Sequence, residues 1–106
     1  MILIDVNYVF GKIDHINIHG HGGLEYGKDV ICAGVSACSI GALNALDNSE
    51  NYKINISEGY LDLKRILDST MHDEIVLETL ITQLDTIRKS YPDRVRINVS
   101  GKEGNQ

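Results

Sequence analysis

The chain has 106 residues, of which 42% are hydrophobic and 24% are charged, and its net charge is −5. This composition argues against a disordered chain, and the lack of an apolar run of about 18 residues argues against a membrane span. The acidic balance disfavours direct nucleic-acid binding, which uses basic patches, and fits a basic protein partner better. We expect one domain over residues 1–106 and a cytoplasmic location, because the N-terminal segment lacks the basic region of a signal peptide.

Two alternating segments at the start of the chain predict a β-hairpin. The apolar side of the first segment consists of Ile2, Ile4, Val6 and Tyr8. Residues 10–12 can turn the chain, and residues 13–19 again alternate apolar and polar side chains, the pattern of a half-buried strand. Residues 20–28 contain four glycines, which predicts a mobile loop because glycine loses the most entropy on ordering.

The remaining sequence predicts two helices and three further strands. Residues 29–46 are predicted to form a small-residue helix with Asp29 as its N-cap, because a carboxylate accepts the free N–H groups of the first turn. Residues 52–63 alternate around a Glu-Gly turn and predict a second hairpin. An apolar stripe predicts a helix over residues 72–90, and alternation predicts a last strand over residues 94–99. The predicted fold is therefore α+β, with two layers, two helices on a mixed or mostly antiparallel sheet, and the order β-β-α-β-β-α-β.

Cys32 is the candidate nucleophile. It lies in the first turn of the predicted helix, where free N–H groups and the helix dipole favour a thiolate. Asp29 opposes this, because a nearby anion disfavours a second one, so a histidine partner is needed. His21 follows the second strand and is our first choice of base, ahead of His19. A strand that reached residue 21 would place both of them on one face with His15, so spacing alone does not separate the histidines.

The residues around Cys32 resemble the signature of the bacterial ribosomal-processing cysteine proteases, the Prp-like family. That family shows a Gly-His pair, a glycine-containing loop, an Asp, two aliphatic residues and then Cys-Ala-Ala/Gly-Val-Ser-Ala. The residues of this chain that match are Gly20, His21, Gly27, Asp29 and the run Cys32–Ala37. The element order and the length also match. Gly22 departs from the pattern, because the family usually has alanine there, and this predicts a looser loop.

The resemblance implies a cysteine endopeptidase with His21 and Cys32 as its catalytic pair. Its members remove a short N-terminal extension, after an aromatic residue, from a large-subunit ribosomal protein, number twenty-seven in the standard naming. It also implies a homodimer with a role in ribosome biogenesis, and we expect neither a cofactor nor a metal. The residues expected to contact the substrate are Gly22, Gly23, Leu24, Tyr26, Ala33 and Ser36. Backbone N–H groups near Ala33 are expected to stabilise the oxyanion.

Two alternatives stay open at this level. His19, His21 and Cys32 could bind zinc, since imidazole nitrogen and thiolate sulfur are its common ligands. The acidic chain could instead be a non-enzymatic ribosome-assembly module that binds a basic protein. Cys38 has no comparable surroundings and is predicted to be a small core residue. Both thiols are expected to be reduced, because two cysteines without a secretory signal do not suggest a disulfide framework.

Overall fold

The computed structural model describes residues 1–23 and 29–101. Its elements in chain order are strands β1 (Ile2–Val9) and β2 (Lys12–Gly20), helix α1 (Val30–Ala45), strands β3 (Tyr52–Ser57) and β4 (Tyr60–Arg65), helix α2 (Met71–Ser90) and strand β5 (Val95–Ser100). A short 3₁₀ turn, Ser49–Asn51, precedes β3. The predicted α+β class and element order are confirmed.

The five strands form one mixed sheet in the order β3-β4-β2-β1-β5. Neighbouring strands are antiparallel except β1 and β5, which run parallel because α2 carries the chain across the sheet before β5. β1 and β2 therefore lie inside the sheet, and their inward side chains form the centre of the core. Among these, Ile4, Val6, Ile13 and Ile16 are at most 1% exposed.

Strict alternation fails at one point in β2. Asn7 pairs with His15 whereas Tyr8 pairs with Ile13, so Asp14 is an extra residue in a β-bulge. Ile13 and Asp14 are consequently both buried, and the Asp14 carboxylate pairs with the ammonium of a lysine on β4. The alternation predicted for this strand holds only after the bulge.

Both helices cover the same face of the sheet, which is the predicted two-layer arrangement. α2 buries three leucines against the sheet, and α1 buries Ile31 and Val35. The opposite, open face carries polar side chains, among which Asn17 donates to Asp62 Oδ1 at 2.9 Å. In the ranges that the structure describes, neither helix combines the length and the apolar character that a membrane crossing requires.

Candidate active site

The end of β2 determines which histidine approaches Cys32. Gly20 has a φ of +106°, and a Cβ there would lie 2.1 Å from the Met1 carbonyl oxygen, so only glycine fits. The strand ends at this residue, and the chain turns away from the direction that alternation would have continued. His21 therefore leaves the open face of the sheet and lies beside the start of α1.

The two earlier histidines stay on the open face. His15 Nε2 lies 2.6 Å from Asp62 Oδ1, and His19 Nδ1 lies 2.8 Å from Asn17 Oδ1. Both imidazoles are thus held by polar partners on the face opposite α1. The geometry brings His21 to Cys32 and leaves the other two candidates away from it.

The Cys32 thiol lies among three groups at the start of α1. Asp29 caps the helix, and its Oδ1 accepts the Cys32 N–H at 2.9 Å. The Gly22 N–H donates to Sγ at 3.2 Å, and His21 Nδ1 lies 3.9 Å from the same sulfur. That last distance is longer than a strong hydrogen bond, as is common for catalytic pairs before substrate binds.

These surroundings raise the pKa of the Cys32 thiol. Burial is the largest cause; the Gly22 N–H opposes it by stabilising the thiolate, and the Asp29 carboxylate adds to it by hydrogen bonding and charge. The start of the helix favours a thiolate, as expected from the sequence, whereas burial and Asp29 favour the neutral thiol. A thiol whose pKa is raised reacts as a nucleophile once a base takes its proton.

Gly22 is tightly packed. A Cβ at this position would lie 2.5 Å from Asp29 Oδ1 and 3.0 Å from Ile31 Cβ. The residue is buried, and its N–H meets the Cys32 sulfur. The looser loop predicted from glycine at this position stays a prediction, because residues 24–28 lie outside the described residues. At Gly22 itself, glycine lets the backbone approach the helix cap closely.

Gly59, in the β3–β4 turn, packs closely against the imidazole of His21. Its φ is +67°, and a Cβ there would lie 2.9 Å from His21 Cε1 and 3.0 Å from His21 Nε2. The Gly59 carbonyl also accepts the Gly20 N–H at 3.1 Å, which ties the turn to the end of β2. The sequence predicted a turn at this glycine but carried no signal that the turn would reach the active site, because the contact is made across the sheet.

A groove of about 540 Å³ runs beside Cys32, between α1 and the β3–β4 hairpin. Its lining includes Ser36, Ser39, Ile40, Ile56 and Tyr60. The last three are apolar or aromatic side chains that stay 39–52% exposed. The hydroxyl of Ser39 is buried and has no hydrogen-bond partner within the part of the chain described. An apolar groove with a few polar groups beside a thiol can hold an extended peptide.

Four of the six predicted substrate-contact residues lie in the described part of the chain. Ala33 and Ser36 line the groove, and Gly22 and Gly23 directly follow His21. Outside the described residues lie the other two, Leu24 and Tyr26.

The backbone donor expected near Ala33 is already engaged. Its N–H donates to the Asp29 carbonyl oxygen at 3.1 Å as part of the first turn of α1. The backbone N–H that reaches the sulfur belongs to Gly22 instead.

The zinc alternative required His19 beside Cys32, yet His19 lies on the open face of the sheet. Across residues 1–23 and 29–101, the potential ligands that gather within 4.8 Å of one another are Asp47, His72 and Asp73. That group lies at the start of α2, and its members are bonded to one another and to the backbone. The geometry therefore gives no support to a zinc site at Cys32.

Cys38, on the same helix as Cys32, packs against the core while it stays partly exposed. Both cysteines are free thiols, as the sequence predicted. Within residues 1–23 and 29–101, the Cys38 thiol has neither the histidine nor the backbone donor that surround Cys32, which makes it a useful control for experiments on the site.

Comparison with known proteins identifies the family. The sequence model of the family described as cysteine protease Prp matches residues 1–96. The chain belongs to the Prp family. A Staphylococcus aureus relative called ribosomal processing cysteine protease Prp is 31% identical over 104 residues, which cover 92% of this chain and 98% of the relative. The Bacillus subtilis protein of the same name is 30% identical over 90 residues, which cover 76% of this chain and 80% of the relative.

A solved Prp structure agrees with this assignment. The essential S. aureus ribosomal processing protease Prp, in complex with a covalently linked product peptide, superposes with a TM-score of 0.84 and 28% identity. The match covers 93% of this chain and 99% of that one. The present Prp-family chain is therefore a cysteine-type peptidase, which excludes the purely non-enzymatic alternative.

Proposed function

We propose that this Prp-family peptidase uses Cys32 as its nucleophile and His21 as its general base to process a ribosomal protein. The observation that supports the pair most directly is the approach of His21 Nδ1 to Cys32 Sγ, at 3.9 Å, beside an open groove. The curated relatives are named for ribosomal processing, which supports the class of substrate.

In the proposed mechanism, His21 removes the thiol proton through Nδ1, the ring nitrogen that faces the sulfur. The thiolate attacks the substrate carbonyl and forms a tetrahedral adduct, whose oxyanion needs N–H donors. We assign this role to the Gly22 N–H, which donates to the Cys32 sulfur before the attack. The sulfur loses its negative charge when the adduct forms, so this N–H can then turn to the oxyanion, whereas the Ala33 N–H is used within α1. His21 then gives the proton to the leaving amine, and water hydrolyses the thioester. Because the thiol pKa is raised, transfer of this proton to His21 must precede or accompany the attack.

The substrate we propose is the large-subunit ribosomal protein number twenty-seven, from which the enzyme removes a short N-terminal extension after an aromatic residue. Two properties of the chain support this. Ile40, Ile56 and Tyr60 offer an apolar surface for an aromatic side chain next to the thiol. The net charge of −5 suits a basic ribosomal protein. Such a substrate also connects the peptidase to ribosome biogenesis.

We further propose that the enzyme acts as a homodimer in the cytoplasm, without direct contact with nucleic acid and without a cofactor or metal. The family resemblance supports the dimer, and the acidic charge supports the absence of nucleic-acid binding. Light scattering coupled to gel filtration measures the mass of the particle directly; a single peak at the monomer mass would contradict the dimer.

The decisive experiment incubates the purified enzyme, under reducing conditions, with the full-length ribosomal protein and maps the new N-terminus by mass spectrometry. The parent should cleave once, after an aromatic residue. Cys32→Ala should lower kcat/KM by more than about 1,000-fold, because it removes the nucleophile. His21→Ala should also be severely impaired. Cys38→Ala, on the same helix, is the matched control and should retain parental activity.

Three results would contradict separate parts of the proposal. Intact substrate after incubation with the parent enzyme would rule out this substrate. Persistent cleavage by Cys32→Ala would place the nucleophile elsewhere, and an unchanged rate in His21→Ala would rule out the proposed base. Cleavage after a non-aromatic residue would leave the pair intact and reject the specificity.

A further inference from the structure

Arg94 reaches the active site from the turn that precedes β5. Its Nη1 donates to the Gly22 carbonyl oxygen at 2.9 Å. Gly22 is the residue whose own N–H donates to Cys32 Sγ at 3.2 Å, and His21 directly precedes it. A single buried residue thus connects the guanidinium to both members of the proposed catalytic pair.

The backbone of Arg94 is itself anchored to two other elements. Its N–H donates to the Tyr91 carbonyl at the end of α2, at 2.9 Å, and its carbonyl accepts the Ile2 N–H of β1, at 2.8 Å. The half-buried side chain therefore starts from a fixed point in the fold. Because its backbone is fixed, Arg94 can use its guanidinium to hold a backbone segment that has little rigidity of its own.

Gly22 and Gly23 form such a segment. Consecutive glycines have weak conformational preferences, so contacts from outside the segment must hold them. Gly23 has a φ of +84°, and a Cβ there would lie 2.7 Å from Arg94 Nη1. Glycine at this position therefore provides the backbone conformation and also leaves space for the guanidinium.

We propose that Arg94 is a positioning residue, which holds Gly22 so that its N–H points at the Cys32 sulfur and His21 faces the same atom. Arg94 does not touch the reacting groups. The inference rests on the proposed function in one respect, that Cys32 is the nucleophile. The contact itself can nevertheless be tested on the thiol, without any substrate.

The test compares Arg94→Met with Arg96→Met. Arg96 lies two positions further along the chain with an exposed side chain, so both variants lose the same charge and the same length. The rate of Cys32 alkylation by iodoacetamide is measured across pH, with peptide mapping by mass spectrometry to separate Cys32 from Cys38. Cleavage of the ribosomal protein gives kcat and KM in parallel, and thermal unfolding monitors the fold.

Arg94→Met should raise the pKa of the Cys32 thiol, because the thiolate loses the Gly22 N–H. It should lower kcat/KM by about 10- to 100-fold, mainly through kcat, as expected when reacting groups are misplaced. Arg94→Lys keeps the charge and a donor, so its values should fall between those of Arg94→Met and the parent. Arg96→Met should stay within about twofold of the parent, like most surface substitutions.

Equal alkylation profiles and equal kcat/KM for Arg94→Met and Arg96→Met would overturn the proposal. If Arg94→Met does not fold, Arg94→Gln is compared with Arg96→Gln instead, because glutamine is shorter than arginine and ends before the Gly22 carbonyl. A parent that alkylates normally but does not cleave the ribosomal protein would reject the proposed substrate, while the thiol pKa would still decide the role of Arg94.

Discussion

The two helices begin with the same N-cap hydrogen bond, but the residue that donates it has different surroundings in each helix. In each, the capping side chain accepts the N–H of the residue three positions ahead: Asp29 accepts it from Cys32 in α1, and Thr70 accepts it from Asp73 in α2. The side chain at that position is a thiol in α1 and a carboxylate in α2. The thiol borders an open groove, whereas Asp73 is fully buried.

The ionisation of these two side chains shifts in opposite senses. Asp73 accepts the N–H groups of Asp47 and Asn48, each at 2.9 Å, and lies 2.8 Å from His72 Nδ1. Burial acts against the charged form, but these bonds outweigh it and lower the pKa of Asp73. Cys32 has one backbone donor and an acidic neighbour, and its pKa is raised. The start of a helix therefore does not by itself determine the direction of a pKa shift; burial, hydrogen-bond donors and neighbouring charges decide it together.

The largest effect should come from Asp73→Ala. This change removes the fully buried carboxylate that accepts the N–H groups of Asp47 and Asn48. Because hydrogen bonds to a charged group are worth about 1.5–3 kcal/mol, the free energy of unfolding should fall by about 3 kcal/mol. Urea denaturation followed by circular dichroism measures the loss. Asp85→Ala, on the same helix, removes an exposed contact with Arg88 and should cost less than about 1 kcal/mol. Equal losses of unfolding free energy in Asp73→Ala and Asp85→Ala would contradict the structural role of Asp73 at the start of α2.

The second-largest effect should distinguish two glycines that lie in hairpin turns. Gly59 and Gly11 both have positive φ, +67° and +78°, but only Gly59 adjoins His21, and a Cβ on Gly11 would meet nothing within 4 Å. Alanine at either position should cost about 1–2 kcal/mol of backbone strain. Gly59→Ala should in addition lower kcat/KM by about tenfold or more, because the imidazole is displaced. Parental kcat/KM in folded Gly59→Ala would show that the turn does not support His21.

A smaller effect concerns the charge of the α1 cap. Asp29→Asn keeps an oxygen that can accept the Cys32 N–H but removes an anion that raises the pKa of the thiol. The thiol pKa should therefore fall, and alkylation of Cys32 near neutral pH should become faster, by less than about tenfold. Asp47→Asn, beyond the other end of α1, is the control and should leave the rate unchanged. A slower reaction in Asp29→Asn would contradict the proposed electrostatics.

The smallest effect should be seen at His72. The hydrogen bond to Asp73, with the charge of Asp47, raises the pKa of this exposed imidazole above its ordinary 6.5. A raised pKa in the folded protein stabilises it below the unfolded pKa, and that contribution is lost as pH rises through the folded pKa. His72→Gln should therefore lower the melting temperature more at about pH 5.5 than at about pH 8.5. The same difference at both pH values would exclude this linkage.

The secondary structure was largely predictable, because periodicity and capping depend on residues close together in the chain. The apolar stripe of α2 and the Asp29 cap of α1 were both found as expected. The bulge at Asp14 was not predicted, because a bulge depends on how two strands pair and not on the sequence of one strand.

For the candidate site, the sequence by itself determined that Cys32 stands at the start of a capped helix, after a glycine-containing segment that carries His21. Among the histidines it left the choice open, and the family resemblance favoured His21. The tertiary structure placed His21, Gly22, Gly59 and Arg94 around one another, and it raised the pKa of the thiol through burial. The reason is physical: a cap or a strand pattern is formed by near neighbours, whereas burial and contacts across a sheet depend on residues far apart in the chain.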